Sequence, residues 1–256
     1  MRKLLKHGLS AWFYAASQPS DLFLYSLYSA HMSDAEDPSD SARKAILEAL
    51  LKHVPFDGWT KKSLISAVRD IDLPKGSEEL YFPGGALEAI NFWSDLSDTQ
   101  VVEHLTSLDL GNMRIRDKVT TGVLKRLEAI GSHEQAARRA LSRLSLPDAI
   151  GQGPSQLWAS ADAIWRAIGD TSTDGNYYSK RLILSGVIGS SMLSWLSDDS
   201  LDKGKAKEFL DARIENVMRF EKAKWDFKKR TENFPDPAEI LGGLRYGNKF
   251  RRRRSR

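Results

Sequence analysis

Five histidines are the first place to look for acid–base or metal chemistry, and in this chain their spacing serves neither. They are His7, His31, His53, His104 and His133, and none lies in an HExxH pair. No histidine follows a glutamate by three residues, so the ExxH motif that builds di-iron sites inside helix bundles is absent. There is no cysteine, which excludes disulfides, thiolate metal sites and a cysteine nucleophile. The glycines form no GxGxxG or GxxxxGK[ST] phosphate loop and no GxSxG nucleophile elbow. The carboxylates are spread along the helix faces without a pair placed as general acid and base. The expectation is a protein with no catalytic residue, no metal and no cofactor, and not an enzyme.

What remains is apolar and aromatic chemistry, concentrated in the second half. Leu157, Trp158, Ala161, Ile164, Trp165 and Ile168 recur on one face of a 3.6-residue helix. From Tyr177 to Leu196 apolar residues nearly encircle the helix, among them Leu184, Ile188, Met192 and Leu193, and such a helix is usually buried. A third helix, about 202–230, carries a stripe of Phe209, Leu210, Ile214, Val217 and Met218. These three helices offer more apolar surface than they need to pack together. Ser185, Gly186 and Gly189 leave little side-chain volume on part of the central one, so Gly189 is expected to face an open gap. The candidate lipid contacts are therefore Trp158, Trp165, Leu184, Ile188, Met192, Leu193, Phe209 and Val217. Position by position the same residues also read as plain core, and only a cavity makes them ligand contacts. Tyr177, Tyr178 and Arg181 follow the turn Asp174-Gly175-Asn176 and form a candidate docking patch, because aromatic and arginine side chains dominate interface hot spots. The alternative, in which Tyr178 is half-buried and Arg181 pairs with a carboxylate, stays open.

The elements that must position these residues are helical throughout, so the fold class is all-α. The first helix runs over 41–54 with Ala45, Ile46, Ala49, Leu50 and His53 or Val54 on one face, and Pro55 is expected to stop it. Short helices follow over 61–69, capped by Thr60, over 75–80, and from Gly85 to about Asp95. The pattern stays helical from Asp98 to Ile130 with a break near Gly111, and again over 133–144. Pro147 and the run Gly151-Gln-Gly-Pro154 mark a loop. The organisation is a leader or disordered segment over 1–40, a head over 41–96, a larger helical domain over 97–230 and a basic tail over 231–256 containing a short amphipathic helix.

Charge is unevenly distributed. From Lys203 onward there are 17 Lys/Arg against 8 Asp/Glu, a net of +9, while the first 202 residues are net −5. The terminal Arg251-Arg252-Arg253-Arg254-Ser255-Arg256 suits an anionic membrane surface or nucleic acid, with a solvated tail as the alternative. No stretch approaches the roughly 18 consecutive apolar residues of a membrane-spanning helix. Residues 1–31 carry Arg2, Lys3 and Lys6 against Asp21 alone. We take Met32 as the biological start, with a transit peptide or a weak signal peptide as the other readings.

Residues 43–93 resemble a TetR-type DNA-binding head. An amphipathic helix ends in the aromatic-containing turn before Gly58, the 64–68 segment matches the first helix of the motif, and Leu80-Tyr81-Phe82 before Gly84-Gly85 resembles the end of the recognition helix. Glu78 and Glu79, however, stand where a DNA reader presents polar or basic groups to phosphate, so the motif reads as vestigial. Residues 157–225 resemble the ubiquinone-biosynthesis accessory lipid-binding family (the Coq-nine family). The most specific run is Gly169-Asp-Thr-Ser-Thr-Asp-Gly-Asn-Tyr-Tyr-Ser-Lys-Arg-Leu-Ile-Leu184, with Phe209-Leu-Asp-Ala-Arg-Ile214 matching the next helix, and the Pro83-Gly84-Gly85 turn is also similar. The resemblance implies a TetR-like helical fold that does not bind DNA and a larger domain that encloses an isoprenoid quinone intermediate. It further implies a patch at Tyr177, Tyr178 and Arg181 docking a di-iron quinone hydroxylase, a homodimer, and peripheral association with a membrane surface. This chain has Tyr177 where the family often has tryptophan. The implied location is cytoplasmic at the inner membrane in a bacterium, or the matrix side of the mitochondrial inner membrane if 1–31 is a transit peptide. The alternative function is a TetR-type transcriptional regulator with an apolar effector.

Overall fold

In the computed structural model, residues 38–231 are described apart from Asp174, with side chains from Ser39 to Phe220. The leader and the basic tail lie outside the described residues. Every regular element among those described is a helix: α1 (Pro38–Asp57), α2 (Lys61–Asp70), α3 (Ser77–Tyr81), α4 (Gly85–Ser107), α5 (Ile115–Glu128), α6 (Glu134–Leu144), a 3-10 turn (Pro147–Ala149), α7 (Gln152–Ala167), α8 (Gly175–Ser197) and α9 (Gly204–Thr231). The all-α expectation holds. The chain divides into two compact units after Ala89.

In the first unit, Ile46, Leu47, Leu50, Leu51 and Val54 of α1 are buried with Leu64, Ala67 and Val68 of α2 and with Trp59 and Phe82. The buried face is rotated from the expected one, since Ala45 is exposed and Leu47 and Leu51 face in. Pro55 does not stop α1. It lies inside the last turn, and the helix ends where Gly58, at φ 71°, donates its N–H to the Val54 carbonyl. A proline so close to the end costs only one ladder bond. Thr60 caps α2 as expected: its Oγ1 accepts the Ser63 N–H at 3.2 Å, and Ser63 Oγ accepts the Thr60 N–H at 3.1 Å.

The second unit is organised around α8, which packs against α7 and α9 and touches α5 and α6. Its core joins Val101 and Leu105 of α4, Val123 and Leu127 of α5, Ala161 and Ile164 of α7, Leu184 and Ile188 of α8, and Leu210 and Ile214 of α9. Gly122 lets α5 come close, since a Cβ there would meet Ile164 at 2.9 Å and Leu105 at 3.3 Å. Two expectations are corrected here. The helix expected to end near Asp95 runs on to Ser107. The expected 151–154 loop is instead the start of α7: Gly151 caps it at φ 90°, and Pro154 sits in the first turn, where no N–H is needed.

Candidate ligand grooves and docking surface

The Asp170-to-Lys180 stretch enters α8 through a buried charge network. Arg181, 1% exposed, donates Nε to Asp162 Oδ1 at 2.5 Å and Nη1 to Asp170 Oδ2 at 3.3 Å and to the Tyr177 carbonyl at 3.2 Å. Its guanidinium lies 3.5 Å from the Tyr177 ring centroid. Asp170 also accepts from Lys180 Nζ at 2.6 Å and Ser172 Oγ at 2.8 Å. Burial pushes the Asp162 carboxyl up, but the bonds from Arg181 and Arg166 outweigh it and hold the group below the usual carboxylate range. Asp170 behaves likewise, with Lys180 and Ser172 supplying most of the opposing effect. Arg181 is therefore corrected as a direct docking residue. A side chain this enclosed reaches no partner, and it positions Tyr177 instead.

The aromatics above the network do form a surface. Tyr178 is 64% exposed and Tyr177 is half-buried. Trp158 joins them, with ring centroids 6.2 Å from Tyr178 and 6.5 Å from Tyr177, and the two tyrosines are 5.1 Å apart edge to face. Further along α8, Leu182 and Leu193 are 67% and 58% exposed. Tyr178, Leu182 and Leu193 sit at i, i+4 and i+15, one line along the helix. The apolar circumference of α8 thus leaves one strip uncovered, where full burial was expected.

The other side of α8 holds a trough of about 180 Å³ between α5, α8 and α9. Val119, Ile183, Leu184, Val187, Ile214 and Val217 line it, with Trp165 from α7 and the polar Arg116, Asn176, Ser179 and Lys180. Trp165 is fixed by donating Nε1 to the Lys180 carbonyl at 3.2 Å, with Lys180 Nζ 5.1 Å from its ring centroid. The trough continues into a more open groove of about 420 Å³, which shares Ile183, Val187 and Val217 and adds Gly186, Ser190 and Phe220.

The eight expected lipid contacts therefore separate. Trp165, Leu184 and Val217 meet in the trough. Met192 and Leu193 lie across α8, in a groove of about 340 Å³ against α6 and α7. Ile188 is solid core. Trp158 belongs to the aromatic patch, and Phe209 stacks under Arg213 at 5.0 Å. The small residues also separate. Ser185 donates to the Leu157 carbonyl, and a Cβ on Gly189 would meet Leu157 Cδ1 at 3.1 Å, so both face α7. Gly186 faces open space in the groove beside α9. Gly189 is thus a close contact with Leu157 of α7 and also lines the groove on that side, away from the trough beside α9. Sequence reasoning missed Val119 and Ile183 of the trough, as well as Asp162 and Asp170. The spacing of Asp162 to Arg166 (i, i+4; 2.7 Å) was the one local signal for that network.

In the first unit, Glu78 is only 8% exposed and its Oε2 accepts the Gly76 N–H. Glu79 points outward and pairs with Lys61 at 2.6 Å. Among the described residues there is no group of three or more potential metal ligands, and no helix is long and apolar enough to cross a membrane.

The helix pair that carries the aromatic patch is also where the chain matches a known family. Residues 150–221 match the COQ9 family model. The chain is 28% identical over 200 residues to the rat mitochondrial ubiquinone biosynthesis protein COQ9, covering 76% of this chain and 64% of that protein. It is 26% identical over 201 residues to the Drosophila melanogaster protein of the same name (74% and 61%). Against the human one it is 27% identical over 188 residues (71% and 59%). Over these residues the chain is similar to the COQ9 family. It spans about three fifths of the length of these relatives. The family match covers α7, α8 and most of α9, which carry the network, the patch and the trough's lining apart from that supplied by α5.

Proposed function

We propose that this chain is a COQ9-like, non-catalytic accessory protein of ubiquinone biosynthesis. It holds the isoprenoid chain of a quinone intermediate and presents the ring to a di-iron hydroxylase, working as a dimer at a membrane surface of the compartment that its mitochondrial namesakes indicate. The observation that carries the reading is the trough between α5, α8 and α9. Its walls are mostly apolar, and it shares Ile183, Val187 and Val217 with a second groove along α8 and α9. That is a shape for a flexible apolar chain, and each Å² covered contributes about 25 cal/mol. The Trp158–Tyr177–Tyr178 patch supplies the docking surface, with Arg181 and Asp162 holding Tyr177 in place.

The test is extraction of lipid from the purified full chain, followed by mass analysis. The wild type is expected to carry a polyprenyl lipid. Ile183→Trp and Val217→Trp, which fill the trough from a partly open face, are expected to lose it while melting close to the wild type. A wild-type preparation free of polyprenyl lipid under conditions where the pathway operates overturns the reading.

A further inference from the structure

Across α8 from the trough lies a channel with a charged floor. Its outer part, about 340 Å³, is lined by Leu141, Leu144, Pro154, Leu157, Met192 and Leu193. Its inner part, about 60 Å³, runs between Trp93, Ile130 and Ala140. Arg126, Leu141, Leu144, Gln156 and Met192 line both, so the two are continuous. Arg126 is buried, yet it lines both parts. It donates Nε to Asp98 Oδ1 at 2.8 Å and to Ser160 Oγ at 3.3 Å, and Nη2 to Ser94 Oγ at 2.9 Å. Ser160 Oγ donates to Asp98 Oδ2 at 3.0 Å. These contacts engage Nε and one Nη of a group that carries five N–H donors.

We propose that this channel is a second ligand site, taking a neutral, carbonyl-bearing amphiphile with its oxygen at Arg126 and its apolar chain running out past Leu193. Three features fix that chemistry. The outer volume falls in the range of small-molecule sites, roughly 300–1,000 Å³. The apolar outer wall and the hydrogen-bonding inner end demand a ligand with one polar end. The cation is already balanced by Asp98, so an anionic head brings a second negative charge beside a buried carboxylate. Burial already pushes the Asp98 carboxyl up, against the pull of Arg126 and Ser160. An acceptor without charge takes a donor from Arg126 and leaves the pair intact. The site stands independently of the trough: the two are lined from opposite sides of α8, and different substitutions block them.

The experiment titrates the full chain with four probes sharing a similar chain: decylbenzoquinone, methyl dodecanoate, decylbenzene and dodecanoate. Binding is followed by tryptophan fluorescence, which Trp93 at the inner end reports. One or both carbonyl probes are expected to bind at least ten-fold tighter than decylbenzene and dodecanoate, and their ratio distinguishes a ring carbonyl from an ester. Leu193→Trp, at an exposed mouth position, is expected to reduce carbonyl-probe binding ten-fold or more with folding intact. The double variant Arg126→Met, Asp98→Met removes the pair without orphaning either charge, and is expected to bring the carbonyl probes level with decylbenzene. Equal affinity of all four probes, preference for dodecanoate, or binding lost in Ile183→Trp but kept in Leu193→Trp overturns the proposal. The last of these places the ligand in the trough and leaves the function proposed above standing.

Discussion

Tyr177, Tyr178 and Arg181 are close in sequence and have different roles, and their burial separates them. Arg181 is enclosed with Asp162 and Asp170, so Arg181→Ala takes the one buried cation from two poorly solvated carboxylates and leaves them only the more exposed Arg166 and Lys180. Removing one member of a buried charge pair costs about 3–5 kcal/mol. Thermal or denaturant unfolding of Arg181→Ala is expected to show a loss of that size; a change under about 0.5 kcal/mol, typical of surface sites, contradicts the network. Tyr178 presents the reverse case. With 64% of its surface open, Tyr178→Ala is expected to leave stability within about 0.5 kcal/mol. If the patch docks the hydroxylase, the same change weakens that complex by roughly 1–3 kcal/mol, measured by titration of the purified partner. Equal affinity in the variant moves the docking site elsewhere.

At the scale of elements, α8 was the clearest in the sequence and also the most misread. Its apolar residues and helical span were legible from Tyr177 to Leu196. Which of its sides meets a neighbour was not, because a helix apolar all round carries no periodic signal of its own. The exposed strip at Tyr178, Leu182 and Leu193, and the different surroundings of Gly189 and Gly186, appear only when α7 and α9 are in place. The Arg126–Asp98–Ser160 cluster joins residues 28 and 34 apart in the chain, which no local spacing reports. Pro55 and Pro154 were read as breakers, yet proline near a helix end or in its first turn costs little. The join between α8 and α9 yields a pH prediction. Asp198 accepts from Ser200 Oγ at 2.6 Å, Ser200 N at 3.1 Å and Ala206 N at 3.0 Å, and bonds from Ser200 and Ala206 hold its pKa at about 2, below the ordinary 3.8. A depressed carboxylate pKa stabilises the fold above the unfolded value, and that stabilisation is lost as pH falls through the folded one. The melting-temperature gap between the wild type and Asp198→Asn is expected to be constant near neutrality and to close between about pH 4 and pH 2. A gap independent of pH over that range rules out the carboxylate as its source.

For the whole molecule, the charge distribution yields a prediction about large partners. The first 202 residues are net −5 and the rest net +9. In the first unit, Glu79 faces solvent and engages Lys61, and Glu78 is spent on a local backbone bond, so α3 offers phosphate no excess of positive charge. Duplex DNA is therefore expected to bind only through the basic end, without sequence preference. An anionic bilayer is the better match, because a cluster of Lys/Arg near such a surface gains about 1 kcal/mol per residue within a Debye length. Arg251 to Arg254 and Arg256 alone contribute five such charges. Vesicles containing anionic phospholipid are expected to pull down the full chain at low salt and to release it as salt rises. Vesicles of neutral phospholipid are expected to bind it far less. Removing residues 251–256 is expected to weaken anionic-vesicle binding by roughly a hundred-fold or more, since five charges at about 1 kcal/mol each exceed the 1.4 kcal/mol of one decade several times over. The same truncation is expected to leave the lipid content of the trough unchanged. Binding that survives both high salt and the truncation assigns the membrane contact to the apolar strip on α8 in place of the tail.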